Sequence, residues 1–285
     1  NYAIADTAQG AGTITQRALT LGAVTAQTKT YDGTRAADTS KFRAALNNAV
    51  AGDNVTAAAT GASYNDKNVA QANRIDYTGV ALAGSDAANY TLAATTAQGA
   101  GTITKRALTL GAVESQSKIY DGTTAADASK FHAVLNDAVA GDNVTAAAAD
   151  AAYNDKNVAA ANRIDYTGVA LRGADAGNYS LAATTAQGAG TITKRALSVD
   201  TVAAQTKTYD GNVSADASQF HATLGSVVSG EENSVTATAA GAAYNDKNVA
   251  AASKVNYTGL ALTGTGAANY AIADTAQGAG TITQR

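Results

Sequence analysis

The chain has 285 residues, of which 46% are apolar, no Cys, Met, Pro or Trp, and a formal net charge of −3. The lack of cysteine excludes disulfides and thiolate metal sites. A slightly acidic chain without a dense Lys/Arg cluster argues against nucleic acid as a partner. No apolar run resembles a signal peptide or a membrane span, so we expect no membrane insertion of this segment.

A motif centred on Tyr-Asp-Gly organises the chain. KTYDGT at 29–34 returns as KIYDGT at 118–123 and as KTYDGN at 207–212, so Tyr31, Tyr120 and Tyr209 are 89 residues apart. This period matches one small domain rather than one unit of a solenoid. We therefore predict three repeat domains, at residues 17–105, 106–194 and 195–285.

Residues 1–17 have the same letters as residues 269–285. Because the second copy closes the third repeat, we expect residues 1–16 to be the tail strand of a preceding repeat. The chain then looks like a piece excised from a longer array.

Within the first repeat, the segment that begins at Arg17 places Leu19, Leu21 and Ala23 on one face at a period of two, which predicts a strand. The following Asp-Gly pair favours a tight turn, in which Gly tolerates a positive φ. We predict that the Tyr is anchored beneath this turn. The residues predicted as turn or anchor in the three copies are Tyr31, Asp32 and Gly33, Tyr120, Asp121 and Gly122, and Tyr209, Asp210 and Gly211.

One short amphipathic helix is predicted over Asp38–Val50. Phe42, Leu46 and Val50 follow helical spacing behind an Asp/Thr/Ser cap and ahead of Gly52. Its apolar stripe would cover one face or end of a sheet.

The rest of the repeat predicts strands and turns. The turn at residues 52–54 should be solvent-exposed, because the third copy accepts two extra residues there and its Tyr-to-Tyr spacing rises from 33 to 35. The motif YNDKNV predicts a turn held by an anchoring Tyr in each copy, at Tyr64, Tyr153 and Tyr244. A change of alternation phase predicts a bulge at Gly79. Residues 101–104 run straight into the next repeat, which predicts a stiff end-to-end rod.

The ordered motifs KxYDGT, GDNV, YNDKNV, YTGVAL, NYTL and GTIT cover the whole chain three times. This pattern resembles the YDG-type repeat domains, related to MBG-type repeats, of large bacterial surface adhesins and filamentous-haemagglutinin-like exoproteins. The helical segment looks longer than in that family, and the Pro residues common at its junctions are missing. The resemblance implies a secreted or outer-membrane-associated cell-surface segment with no catalytic residues.

Other chemistry has weaker support in the sequence. His132 and His221 share one repeat position, which is Arg43 in the first copy, so a metal or general-base role is not expected. The carboxylates of Asp32, Asp53, Asp66, Asp76 and Asp86 can bind calcium only if they converge. Lys67 can form an internal isopeptide bond only if it is buried beside an acid. The Thr-x-Thr pairs suggest an ice-binding face, and the tyrosines a glycan platform.

We expect a mainly β protein, a tandem array of three small sandwich-like domains with one short helix each. The alternative fold is a β-grasp-like α+β unit. The expected function is a non-catalytic stalk that projects an adhesive tip, with neighbouring repeats of the same polypeptide as partners. In the alternatives, the repeats themselves bind a host or bacterial surface glycan or protein weakly and with avidity, or the chain binds ice.

Overall fold

The computed structural model describes residues 2–4 and 6–285. It is built of β-strands and single turns of 3₁₀-helix, with no α-helix in the described residues. The strands of the first repeat are β1 (Arg17–Val24), β2 (Gln27–Thr30), β3 (Ala44–Asn47), β4 (Thr56–Ala58), β5 (Gly61–Tyr64), β6 (Arg74–Thr78), β7 (Ala81–Ala83), β8 (Tyr90–Leu92) and β9 (Thr96–Thr104). The mainly β, three-repeat prediction is confirmed, whereas the β-grasp alternative lacks the helix it needs.

The second and third repeats use the same order of elements. The second has β10 (Arg106–Val113), β11 (Gln116–Ile119), β12 (Ala133–Asn136), β13 (Thr145–Ala147), β14 (Asp150–Tyr153), β15 (Arg163–Thr167), β16 (Ala170–Arg172), β17 (Tyr179–Leu181) and β18 (Thr185–Thr193). The third has β19 (Arg195–Ala196), β20 (Ser198–Val202), β21 (Gln205–Thr208), β22 (Ala222–Gly225), β23 (Thr236–Thr238), β24 (Gly241–Tyr244), β25 (Lys254–Thr258), β26 (Ala261–Thr263), β27 (Tyr270–Ala271) and β28 (Thr275–Thr283). The 3₁₀ turns are Thr39–Lys41, Ala87–Asn89, Ala128–Lys130, Ala176–Asn178, Ala217–Gln219 and Ala267–Asn269.

The chain divides into two compact units whose limits do not follow the repeats. Unit 1 comprises residues 1–109, 135–145 and 171–182, and unit 2 comprises residues 110–134, 146–170 and 183–285. Each unit therefore contains one complete repeat and part of the second repeat. The junction between repeats 1 and 2 lies inside unit 1, and the junction between repeats 2 and 3 lies inside unit 2.

In unit 1, the first repeat forms a sheet in the order β3-β1-β8, a sheet in the order β2-β9-β6-β5, and the ribbon β4-β7. Strands β1 and β8 are parallel, as are β2 and β9, and the other pairs are antiparallel. Both larger sheets supply one core, in which Tyr64, Ile75, Tyr77 and Ile103 are buried. The same core takes in Tyr179 of the second repeat.

In unit 2, strands β21-β28-β25-β24 repeat the four-stranded sheet, with β23-β26 as the ribbon. The second repeat contributes the matching sheet β11-β18-β15-β14. The third repeat divides its first strand into β19, which pairs with β27, and β20, which pairs with β22.

The helix predicted over Asp38–Val50 is wrong. Asp38 caps only the 3₁₀ turn Thr39–Lys41, by accepting a hydrogen bond from the Ser40 N–H, and the chain then becomes extended. Strand β3 pairs with β1, with Leu46 opposite Leu21. A helix this short is marginal in water. Pairing with an adjacent strand satisfies the backbone groups of β3 and keeps Phe42 buried, while Val50 is left exposed.

Two further predictions need correction. Strand β1 places Leu19 and Leu21 inward but leaves Ala23 exposed, because its register shifts between Leu21 and Val24. Gly79 is not a bulge within one strand. It has a φ of +63°, and there the chain leaves the sheet of β6 and enters the ribbon of β7.

Residues 6–16 contain no strand, and Tyr2, Ile4 and Ile14 are exposed. The same letters form β28 in the third repeat, where β21 and β25 pair with it on either side. A lone strand leaves its backbone groups unpaired, so the predicted tail strand is not formed in the described residues of 1–16. Asn1 and Ala5 lie outside the described residues.

Candidate functional site: the junction between repeats

The Tyr-Asp-Gly turn is a polar bend over a buried ring. Tyr31 is 1% exposed, and Gly33 takes a φ of +79°. The Asp32 carboxylate accepts hydrogen bonds from the Thr34 N–H at 2.9 Å and from the Lys29 ammonium at 2.8 Å. Burial alone would raise the pKa of Asp32, but these hydrogen bonds hold it below its ordinary value.

In each repeat one lysine connects the Tyr-Asp-Gly turn with the tyrosine of the YNDKNV motif. Lys29 also donates to the Thr34 and Ala36 carbonyls, and its ammonium lies 5.2 Å from the ring centroid of Tyr64. A cation over an aromatic face is a favourable pair. The other repeats reproduce the arrangement with Lys118, Asp121 and Tyr153, and with Lys207, Asp210 and Tyr244.

The buried Tyr31 hydroxyl reaches into the next repeat within unit 1. It donates to Asp142 Oδ2 at 2.9 Å, and Tyr179 donates to the same oxygen at 2.6 Å. The two rings meet edge to face with centroids 5.3 Å apart. Burial, together with the hydrogen bond to Asp142, raises the pKa of both tyrosines. Hydrogen bonds to a charged partner contribute about 1.5–3 kcal/mol each.

A second polar contact uses the YNDKNV turn of repeat 1. Asn178 is 5% exposed, accepts the Val69 N–H at 2.9 Å and donates to Asn68 Oδ1 at 3.0 Å. Beside it, Gly33 faces Val139 so closely that an added Cβ would lie 2.9 Å from the valine Cγ1. Both motifs of the first repeat thus form a socket for the Asp142 turn and the Asn-Tyr pair of the second.

Unit 2 contains the same junction between repeats 2 and 3. Tyr120 donates to Glu231 Oε1 and Tyr270 to Glu231 Oε2, each at 2.7 Å. Asn269, which is 4% exposed, accepts the Val158 N–H at 2.9 Å and donates to Asn157. Here a glutamate in the longer loop replaces the aspartate, and each of its oxygens serves one tyrosine.

Glu231 also forms an ion pair with Lys156 at 3.4 Å. Although burial opposes it, the hydrogen bonds from Tyr120, Tyr270 and Lys156 lower the pKa of this carboxyl. The turn at residues 52–54 is exposed, as predicted. In the second and third repeats the same turn carries Asp142 and Glu231, which are half-buried against the preceding repeat. The two extra residues of the third repeat lie between Glu231 and Val235, after the junction carboxylate.

The predicted anchors occupy two environments. Tyr31, Tyr64, Tyr120, Tyr153 and Tyr244 are buried, whereas Tyr209 is 38% exposed. The glycines Gly33, Gly122 and Gly211 all have a positive φ. The sequence analysis did not identify Asp142, Asn178 or Glu231 as junction residues. The signals in the sequence were the recurring acidic residue after Gly in the GDNV motif and the polar Asn before each recurring Tyr.

The other candidate sites do not assemble. Among residues 2–4 and 6–285, no three His, Cys, Asp or Glu side chains come together as a group that can hold a metal ion. His132, His221 and Lys67 are exposed. Thr102 and Thr104 lie on the outer face of β9, opposite Thr28 and Thr30 of β2. No helix of the described residues is long and apolar enough to span a membrane.

Comparison with known proteins identifies the repeat. No match was found among the curated proteins. Among solved structures, Drosophila N-cadherin EC1-4 has 6% identity and a TM-score of 0.27, with coverage of 94% of this chain and 75% of that chain. The protocadherin GammaB4 extracellular domain has 8% identity and a TM-score of 0.27, covering 93% and 49% respectively. At these TM-scores the likeness carries no argument.

The family model described as YDG domain matches three consecutive stretches, at residues 15–97, 104–186 and 193–277. Each stretch contains one Tyr-Asp-Gly turn, the lysine that bonds to its aspartate, and one closing Asn-Tyr pair. The chain is therefore a tandem array of three repeats that belongs to the YDG domain family.

Proposed function

We propose that this chain is a non-catalytic, extended stalk segment of a bacterial cell-surface adhesin, secreted and associated with the outer membrane, that projects an adhesive tip. The observation that carries the proposal is the hydrogen-bonded junction. The motifs that recur in every repeat, including Tyr-Asp-Gly and Asn-Tyr, hold one repeat against the next. A module whose recurring residues join repeats to one another is suited to a mechanical role.

The covalent connection supports stiffness. Only Lys105 separates β9 from β10, and only Lys194 separates β18 from β19. Each flanking strand is hydrogen-bonded within its own sheet. A flexible linker requires several unpaired residues, so bending at a junction must break its hydrogen bonds.

The energetics of the junction favour a persistent arrangement. Opening the first junction would separate Asp142 from Tyr31 and Asn178 from Asn68 and Val69. Two hydrogen bonds between neutral groups and one to a carboxylate together represent about 3–5 kcal/mol. At about 1.4 kcal/mol per factor of ten, the open form is then populated below about one per cent.

Small-angle X-ray scattering of the full chain tests the proposal. One 89-residue domain has a radius of gyration of about 12 Å. Three such domains in line, spaced about 30 Å apart, have a radius of gyration of about 27 Å and a maximum dimension of about 90 Å or more. A single globule of the same length would give about 19 Å. A measured radius of gyration near about 19 Å at infinite dilution refutes the proposal of an extended stalk.

A matched pair of variants ties the scattering to the junctions. Asn178→Ala removes a junction side chain, whereas Asn89→Ala removes its exposed counterpart in the first repeat. We expect a broader distribution of dimensions for the first variant and an unchanged curve for the second. If both variants scatter as the parent chain does, the junction hydrogen bonds do not set the extension.

A further inference from the structure

An open cleft of about 480 Å³ in the first repeat is lined by the turn around Ser40 and by strand β4 with the residue that follows it. One wall consists of residues 57–59, three consecutive alanines. The polar lining consists of one arginine and three hydroxyl-bearing residues, namely Arg43, Thr39, Ser40 and Thr56. An apolar wall with a few polar groups is the usual composition of a small-molecule site.

The openness of this cleft does not depend on where a repeat lies in the array. Ser40 and Arg43 are exposed in the first repeat. In the second repeat, which has a neighbour on either side, the corresponding Ser129 and His132 are exposed as well. The cleft is also separate from the junction, whose residues in the first repeat are Tyr31, Gly33, Asn68 and Val69.

Arg43 is held in one orientation and keeps one side of its guanidinium free. Its Nη1 group donates to the Ser40 carbonyl at 2.9 Å and to the Phe42 carbonyl at 2.7 Å. Among the residues that the structure describes, no hydrogen bond uses its Nε or Nη2 and no carboxylate pairs with it, whereas Arg74 and Arg163 each pair with an aspartate. The fork formed by Nε and Nη2 matches the two oxygens of a carboxylate.

The acid beside the cleft is already occupied. Asp38 Oδ1 accepts the Ser40 N–H at 2.9 Å and the Ser40 hydroxyl at 2.6 Å, and Lys41 lies 3.9 Å from Asp38 Oδ2. Because Ser40 donates its hydroxyl proton to Asp38, its oxygen is left as an acceptor. The lining thus offers a guanidinium for an anion and hydroxyl oxygens for the hydroxyl groups of a ligand.

We propose that this cleft binds a hexuronate, a sugar ring that carries one carboxylate. The Arg43 fork holds the carboxylate, the hydroxyl groups of the lining bond to those of the ring, and the alanine methyl groups pack on its C–H face. The second and third repeats have histidine at the arginine position, His132 and His221. An imidazole has no such fork and no permanent charge, so the site belongs to the first repeat. This binding goes beyond the stalk role, which stands whether or not a sugar is bound.

One sugar ring in an open cleft has few atoms with which to gain affinity, so we expect a Kd of about 1 mM. NMR titration of the full chain, labelled with ¹⁵N, measures binding of this strength through the backbone amides of Ser40, Arg43 and Thr56. Methyl glucuronide is the probe. Methyl glucoside, in which a CH₂OH group replaces the carboxylate, is the matched uncharged sugar, and acetate supplies a carboxylate without the ring.

Three variants assign the binding to the guanidinium. Arg43→Ala removes the fork and should raise the Kd for methyl glucuronide about tenfold or more. Arg43→Lys keeps the charge without the fork and should raise it about threefold or more. Arg74→Ala is the matched control, because Arg74 already pairs with Asp76 at 2.9 Å and does not line the cleft. We expect that variant to change the Kd by less than about twofold.

Saturable shifts at the cleft amides, with methyl glucuronide bound about tenfold more tightly than methyl glucoside or acetate, support the proposal. The absence of a saturable shift up to about 10 mM methyl glucuronide overturns it. Equal binding by the parent and Arg43→Ala chains overturns it too, provided that the amide spectrum of the variant outside the cleft matches that of the parent. Acetate binding as tight as that of methyl glucuronide overturns the assignment to a sugar.

Discussion

Replacing Asn178 by alanine should weaken the junction of unit 1 at one identifiable amide. The Asn178 side chain accepts the Val69 N–H at 2.9 Å and donates to Asn68 Oδ1 at 3.0 Å, and it is 5% exposed. A net contribution of about 1 kcal/mol for each hydrogen bond gives a loss of about 2 kcal/mol. Each 1.4 kcal/mol is a factor of ten, so the Val69 amide should exchange its hydrogen about 30-fold faster.

Native-state hydrogen exchange followed by NMR measures this directly, because it reports local opening rather than global unfolding. The Val158 amide, which donates to Asn269 in unit 2, is the reference within the same molecule and should keep its rate. Asn89→Ala is the matched control, since Asn89 ends an equivalent 3₁₀ turn but is exposed. The reasoning is refuted if Val69 exchange is unchanged by Asn178→Ala, or if Asn89→Ala accelerates it equally.

Three further predictions concern stability, measured by chemical denaturation. Hydrogen bonds lower the pKa of Asp32 in the folded chain despite its burial. Its contribution to the free energy of unfolding is therefore complete above the unfolded pKa of about 3.9 and is lost as pH falls through the folded pKa. Asp32→Asn should make the loss of stability in acid shallower below about pH 4. Phe42→Ala, at a buried ring, should cost about 3–5 kcal/mol, whereas Val50→Ala should stay within about 0.5 kcal/mol. Tyr31→Phe should cost about 1.5–3 kcal/mol through the lost bond to a carboxylate, and Tyr209→Phe, at the exposed position, about 0–0.5 kcal/mol.

Each of these comparisons has an outcome that contradicts it. A parallel acid profile for Asp32→Asn would mean that the turn carboxylate is equally protonated in the folded and unfolded chain. Similar losses for Phe42→Ala and Val50→Ala would favour the amphipathic helix, whose stripe contains both residues. Equal effects at Tyr31 and Tyr209 would mean that the hydrogen bond from Tyr31 to Asp142 adds no stability.

The features that sequence reasoning predicted correctly depend on neighbours along the chain. The 89-residue period identified three repeats, and alternation identified β1 and the strands β6 and β7 on either side of Gly79. The bend at Gly33 followed from an Asp-Gly pair, whose Asp32 carboxylate bonds to a backbone N–H two residues later. Such local chemistry is visible in a window of a few residues.

The helix failed because the spacing of Phe42, Leu46 and Val50 fits two structures. Residues four apart share a face in a helix and also in a strand, since four is a multiple of two. Pairing with β1 decides between the two, and its paired residues lie 20 to 27 positions earlier in the chain than those of β3. In the structure Phe42 packs on Tyr77 with ring centroids 4.6 Å apart, and Val50 is left exposed.

The sequence by itself therefore determined the repeat, its family, its β character and the turn chemistry of its most recognisable motif. Only the tertiary structure decided that the motif is half of a junction, because the atoms that meet there are about 110 residues apart in the chain. Tyr31 bonds to Asp142 across 111 residues, and Asn178 bonds to Val69 across 109. Recurrence in the sequence marks such residues in every copy. The partner of each side chain, however, is set by the packing of distant segments, so the same tyrosine is buried in two repeats and exposed in the third.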